Sequence, residues 1–368
     1  MKNVKNNIQK RNRRNLQFHH KGIIDVQFNW IFVMIAGFVM FLFIISIVFA
    51  QKRSADTQAG ISAANQINTL IKGKQQTANV YSEITIPLEK VNFQCDAAYD
   101  TFTFKIENAQ PTPLQTEIIF APQNLATNKI IIWSQAFTVG FPVSVFTYIS
   151  TDKSMILIYN DSESTYASQI YADLPNNISR RQISDPTEIS AYNSYDHVKI
   201  ICFEGSGCPP ANYEYMRIIP GSSTTGGVTA PISNMQVGLY DYGTVIFHKK
   251  GSTLPDSALQ TTYYITESGL YGAIFSDNVG FYNCQMSRAL KQFEVKRSLV
   301  ESRLLLLQNV LEPDSECRVA TNTTLELEIK DMRNPVLNAD NVSSLYINSK
   351  YLDARNTDLQ LSSCPQIY

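Results

Sequence analysis

Met155-Ile-Leu-Ile-Tyr159, then Asn-Asp161-Ser-Glu-Ser-Thr, then Tyr166-Ala-Ser-Gln-Ile170-Tyr-Ala-Asp-Leu174, is the stretch that decides the fold class. Its first five residues are continuously apolar, the habit of a strand buried on both faces. Tyr166, Ile170 and Leu174 then recur every fourth residue, the spacing of one helix face. Val198-Lys-Ile-Ile-Cys-Phe203 is a second continuous run. Strand, helix, strand in that order predicts an α/β layer with right-handed crossovers and Rossmann-like parallel strands.

Four more short runs fit the same pattern: Ile118-Ile-Phe120, Lys129-Ile-Ile-Ile-Trp133, Val245-Ile-Phe247 and Gly272-Ala-Ile-Phe275. Upstream the period is two. Ile84-Thr-Ile86, Val91-Asn-Phe93-Gln-Cys95 and Phe102-Thr-Phe104-Lys-Ile106 alternate and predict a small antiparallel sheet. The sheet is therefore expected to be mixed. Residues 205–235, rich in Gly, Ser, Thr and Pro, read as a long surface loop around one hairpin. Beyond residue 282, Met286, Leu290, Phe293, Val300, Leu304, Leu307 and Leu311 step by fours and threes, with Arg297 at one step, until Pro313. Val342, Leu345, Leu352 and Leu359 repeat the scheme with Ser349 and Asn356 in the gaps. A third helix is predicted over about 319–332, stopped by Asn334-Pro335. The C-terminal segment is expected to be helical and packed on the α/β domain.

Working towards the N-terminus, residues 30–50, Trp30-Ile-Phe-Val-Met-Ile-Ala-Gly-Phe-Val-Met-Phe-Leu-Phe-Ile-Ile-Ser-Ile-Val-Phe-Ala50, carry no charge. Twenty-one helical residues reach about 30 Å, the depth of a hydrocarbon core. Five Lys or Arg lie in the 20 residues before this run and two in the 20 after it. The positive-inside rule puts the N-terminus in the cytoplasm and the rest outside. The chain divides into a basic tail (1–29), a transmembrane helix (30–50), a juxtamembrane stalk (51–79), an exported α/β domain (80–281) and a helical segment (282–368). Ala63, Ala64, Ile67, Leu70 and Ile71 give the stalk helical spacing. Two other readings stay open: a signal peptide cut after Val48-Phe-Ala50, and a prepilin-like leader ending at Lys21-Gly22.

Of the 31 basic and 32 acidic residues, nine and one fall within 1–53, so the outer part is acidic. That disfavours nucleic acid, whose phosphates need Lys and Arg. All six cysteines, Cys95, Cys202, Cys208, Cys284, Cys317 and Cys364, lie beyond the apolar run, as expected for disulfides in an oxidising compartment. Cys202 and Cys208 flank Gly205-Ser206-Gly207, close enough to bond. Cys317 precedes one predicted helix and Cys364 follows its antiparallel neighbour. That leaves Cys95 for Cys284.

Catalytic signatures are sparse. His197 and His248 are the two histidines of the outer part, and no His-Glu-x-x-His or Gly-x-Ser-x-Gly occurs. Ser150-Thr-Asp-Lys153 matches a pattern common by chance. No cofactor motif appears, and no metal ligand set is assigned. Three runs lead into acids: Tyr159-Asn-Asp161, Phe203-Glu204 and Phe275-Ser-Asp277. As parallel neighbours they would gather Asp161, Glu204 and Asp277 at the carboxyl edge, where open α/β sheets bind ligands and where hard oxygens hold Mg²⁺ or Ca²⁺. The plainer reading is capping and turns.

Phe28-Asn-Trp-Ile-Phe32, Ile119-Phe-Ala-Pro122, Gly272-Ala-Ile-Phe-Ser-Asp-Asn278, Tyr282-Asn-Cys284 and Ser363-Cys-Pro-Gln-Ile-Tyr368 are spread from the apolar run to the last residue. On these segments the chain resembles a family of archaeal single-span membrane proteins of no assigned activity. The resemblance implies the topology above and no reaction. The expected role is a non-enzymatic cell-envelope or interaction component, touching lipid through 30–50 and a protein partner at the surface. The alternatives are an exported hydrolase or metal-dependent enzyme using the strand-end carboxylates, and a prepilin-like filament subunit.

Overall fold

The computed structural model describes residues 21–74, 79–96, 100–107, 109–160, 165–203, 208–210, 212–221, 239–251, 260–311, 317 and 323–368. Two compact units emerge, Met1–Thr57 and Gln58–Tyr368. Helix α1 spans Lys21–Lys74. In the first unit its residues from Trp30 to Phe49 include no buried side chain. This helix is long and apolar enough to cross a membrane, by length and composition.

The second unit holds two six-stranded sheets. The first contains β1 (Tyr81–Asp96), β2 (Thr101–Ile106), β3 (Thr112–Pro113), β4 (Ile118–Phe120), β5 (Asn124–Val139) and β6 (Phe141–Thr151), ordered β3-β2-β1-β5-β6-β4. All its pairs are antiparallel except β4 with β6. The last three turns of α1 cover one face: Ala63, Ala64, Ile67 and Ile71 are buried with Phe93, Phe102 and Phe104. Residues 58–74 thus belong to the large unit rather than standing apart as a stalk.

The second sheet contains β7 (Ser154–Tyr159), β8 (Arg180–Ile183), β9 (His197–Phe203), β10 (Tyr215–Pro220), β11 (Tyr242–His248) and β12 (Gln260–Ile265). Their order is β12-β11-β10-β9-β7-β8. The pairs from β8 to β10 are parallel, and those from β10 to β12 antiparallel. Helix α2 (Thr165–Asp173) makes the β7–β8 crossover and buries Ala167 and Ile170. Along β7 the faces alternate. Ile156 and Ile158 enter the main core, whereas Met155, Leu157 and Tyr159 pack with Ile183, Ile189 and Ile200 on the other face. The fold is α/β with mixed sheets and C-terminal helices.

Three expectations about strands need correction. The run Lys129–Trp133 lies in β5, which pairs antiparallel on both sides, and Val245–Phe247 in β11 does the same. Double-sided burial, not parallel pairing, makes these runs continuous. In β5, Ile130 and Ile132 enter the core under α1, while Ile131 and Trp133 enter the main core. The run Gly272–Phe275 is not a strand at all. It ends helix α3 (Thr266–Phe275), whose residues from Ser268 onward are all buried, so the apolar run reflects a helix sunk in the core. The third concerns 205–235: Tyr215–Pro220 inside it is a central strand, and 222–238 lie outside the described residues.

Helix α4 spans Val279–Val310, with Asn278 accepting from the Phe281 N–H at 2.9 Å as its cap. Leu290, Phe293, Val300 and Leu304 are buried along one stripe. Arg297 occupies the odd step, and its guanidinium reaches Glu294 and Glu301 at 2.7 Å each. Arg288, also buried, donates to the carbonyls of Leu114, Gln115 and Glu117 at 2.7–3.0 Å, fastening the approach to β4. Helices α5 (Thr323–Asp331) and α6 (Ala339–Leu361) follow. The small residue Ser349 on α6 faces Gly140, which has φ +72° at the β5–β6 turn; a Cβ on Gly140 would meet Ser349 backbone at 3.3 Å.

The six cysteines pair as Cys95–Cys284, Cys202–Cys208 and Cys317–Cys364, the arrangement expected from loop lengths and helix order. The first ties β1 to the first turns of α4. The last joins the segment before α5 to the residue beyond α6.

Candidate functional site

A cleft of about 300 Å³ opens at the amino edge of the parallel strands. Ser154 starts β7, His197 starts β9 and Tyr215 starts β10; all three line it, together with His248 at the end of antiparallel β11. The turn between α3 and α4 supplies Ser276 and Asp277. Ile156, Phe247, Ile274 and Phe275 give it apolar walls.

Lys199 is the central group. It is the single charge inside the apolar run Val198–Phe203, and β9 turns it towards the cleft. Its ammonium donates to the Ser276 carbonyl at 2.6 Å and lies 4.6 Å from the Phe247 ring centre. The first contact satisfies a carbonyl left over at the C-terminal end of α3. Burial pulls the Lys199 pKa down from 10.5 to about 8, against the opposing pull of Asp277 and Glu214. The Asp277 carboxylate accepts the Gln123 N–H at 2.7 Å. Tyr215 and His248 stack with ring centres 4.2 Å apart, and Asp196 pairs with Lys153 at 3.6 Å. An amine that gives up its proton near pH 8, imidazoles and carboxylates around an apolar floor suit a small ligand with polar ends.

Asp277, the one member of the expected carboxylate set among the described residues, does not stand at the carboxyl edge. It follows a helix, and it lies with Ser154 and His197 at the amino edge. Tyr159 and Phe203, which lead towards Asp161 and Glu204, end their strands at the opposite edge, about 17 Å away along β7. Asp161 and Glu204 themselves lie outside the described residues. Among the described residues no group of three His, Cys, Asp or Glu is placed to hold a metal ion. Sequence reasoning passed over Lys199, although a lone lysine in a continuous apolar strand is the signal that finds it. Comparison of the chain with protein-family models, curated proteins and solved structures yields no match.

Proposed function

We propose that this chain is a single-pass membrane protein with a cytoplasmic N-terminus and an extracytoplasmic unit that serves as an interaction component of the cell envelope. One observation carries the reading. The helix surface from Trp30 to Phe49 is apolar and uncovered, while every cysteine lies beyond it and is disulfide-bonded. The likeness to archaeal single-span proteins is in keeping with this topology. The parallel half of the second sheet, β8-β7-β9-β10 with α2 as its crossover, supports calling that half Rossmann-like. The exported-enzyme reading draws its support from the Lys199 cleft at the amino edge rather than from the strand-end carboxylates.

Impermeant thiol labelling of intact cells tests the topology. A cysteine replacing Asn7 is expected to stay unlabelled and one replacing Ser62 to react. The reverse pattern overturns the reading. Crosslinking the native membrane protein and identifying its neighbours then tests the interaction role.

A further inference from the structure

Helix α4 has a second apolar stripe that the described residues leave uncovered. Val295, Leu299, Leu305, Leu306 and Val310 are 40–80% exposed. At 100° per residue, Val295, Leu299, Leu306 and Val310 fall within about 60° of one another. The buried Phe293, Arg297, Val300 and Leu304 occupy the opposite side. The charges of the helix are sorted as well. Glu294 and Glu301 turn inward to Arg297, and Glu301 also meets Arg333. Lys291, Lys296 and Arg303 are exposed beside the stripe, and no acid of this helix from residue 291 onward is exposed with them. Lys291 meets Asp100 at 2.9 Å. An apolar band with basic flanks is the pattern of a helix lying in a lipid headgroup layer.

We infer that the outward face of α4 docks on an anionic membrane surface. The inference rests on the anchored reading above. Seven residues separate Ala50 from Gln58, where the large unit begins. Those seven residues are helical within α1, and the eight steps from Ala50 to Gln58 add only about 12 Å of chain beyond an inserted 30–50. A second copy is the weaker occupant, because the exposed charges that α4 itself carries beside the stripe, Lys291, Lys296 and Arg303, are basic and would face their own kind. Anionic headgroups answer those charges, and the acyl boundary answers the leucines.

The test uses the full chain in phosphatidylcholine nanodiscs with and without phosphatidylglycerol. An environment-sensitive fluorophore is placed on Leu306→Cys, on Phe41→Cys within the apolar helix, or on the exposed Lys250→Cys. Nitroxide lipids report contact. Quenching at position 306 is expected to exceed that at 250 at least twofold in anionic discs, and to be lost on Lys296→Glu with Arg303→Glu. Quenching at 41 with none above the 250 level at 306 overturns the docking and leaves the anchor standing. No quenching at 41 overturns the anchor and the docking with it. Quenching at 306 that ignores both phosphatidylglycerol and charge reversal overturns the anionic surface as the occupant. A blue-shifted but unquenched probe at 306 overturns it in favour of a protein cover.

Discussion

At the scale of single residues, Lys199 makes the sharpest claim. Its pKa sits near 8 in the folded chain against an ordinary 10.5, with burial the first cause. Between those values the unfolded chain binds more protons than the folded one. The contribution of Lys199 to stability therefore rises with pH across that window, and its penalty is fully present below about pH 8. The span corresponds to up to about 3 kcal/mol. Buried Tyr148 and Tyr264, held above the ordinary tyrosine range by burial, act in the opposite sense above about pH 10. Comparing wild type with Lys199→Met cancels the tyrosines. Denaturant titrations are expected to show wild type gaining on the variant between pH 8 and pH 10, and a flat difference would remove Lys199 as a desolvated amine. The lone lysine in the apolar run Val198–Phe203 is the one mark of this site in the sequence; the spacing does not say which face it takes, because the apolar residues around it do not alternate. Arg297 interrupts the apolar series of α4 at one step, and that step is buried.

Among the elements, α3 shows how close packing decides what a run of apolar residues becomes. A Cβ on Gly272 would lie 2.8 Å from the Phe120 ring of β4. That ring is fully buried against Phe146, Tyr148 and Tyr282, with centres 5.1–6.0 Å away, so it has nowhere to move. Gly272→Val is expected to cost about 1–3 kcal/mol by overpacking, more than the few tenths that valine regains in helix propensity. Thermal melting measures it; an unchanged midpoint would mean that α3 is not seated on β4 as described. Four residues of a buried helix and four of a buried strand look alike in sequence, and so Gly272–Phe275 was read as a strand and Asp277 as its acidic end. The C-terminal helices were legible because their periods run far longer. Val342, Leu345, Leu352 and Leu359 hold one face of α6 through five turns, and Asn338 supplies the cap, accepting the Asn341 N–H at 2.8 Å.

For the whole molecule the disulfides set the scale, since they close loops of 189, 47 and 6 residues. Chain entropy alone assigns them about 5, 4 and 2 kcal/mol. Paired Cys→Ser replacements are expected to lower stability in that order, with Cys95/Cys284 the most damaging, as read by urea unfolding of the oxidised protein. A larger loss from Cys202/Cys208 than from Cys95/Cys284 would show that local packing outweighs chain entropy. This pairing was legible because two of the bonds are local consequences of a short turn and a helical hairpin, and the third is what remains. The arrangement of sheets was not, because strand direction leaves no trace in residues buried on both faces. The longest bond also imposes a schedule on biosynthesis. At a ribosomal pace of roughly 5–20 residues per second, Cys284 appears roughly 10–40 s after Cys95. Throughout that wait Cys95 is a reactive thiol, and Cys202 and Cys208 emerge first as wrong partners. Six residues apart, those two find each other sooner than either finds Cys95. In an oxidising compartment the small loop would thereby act as a timing guard, removing the competitors before the long-range partner arrives.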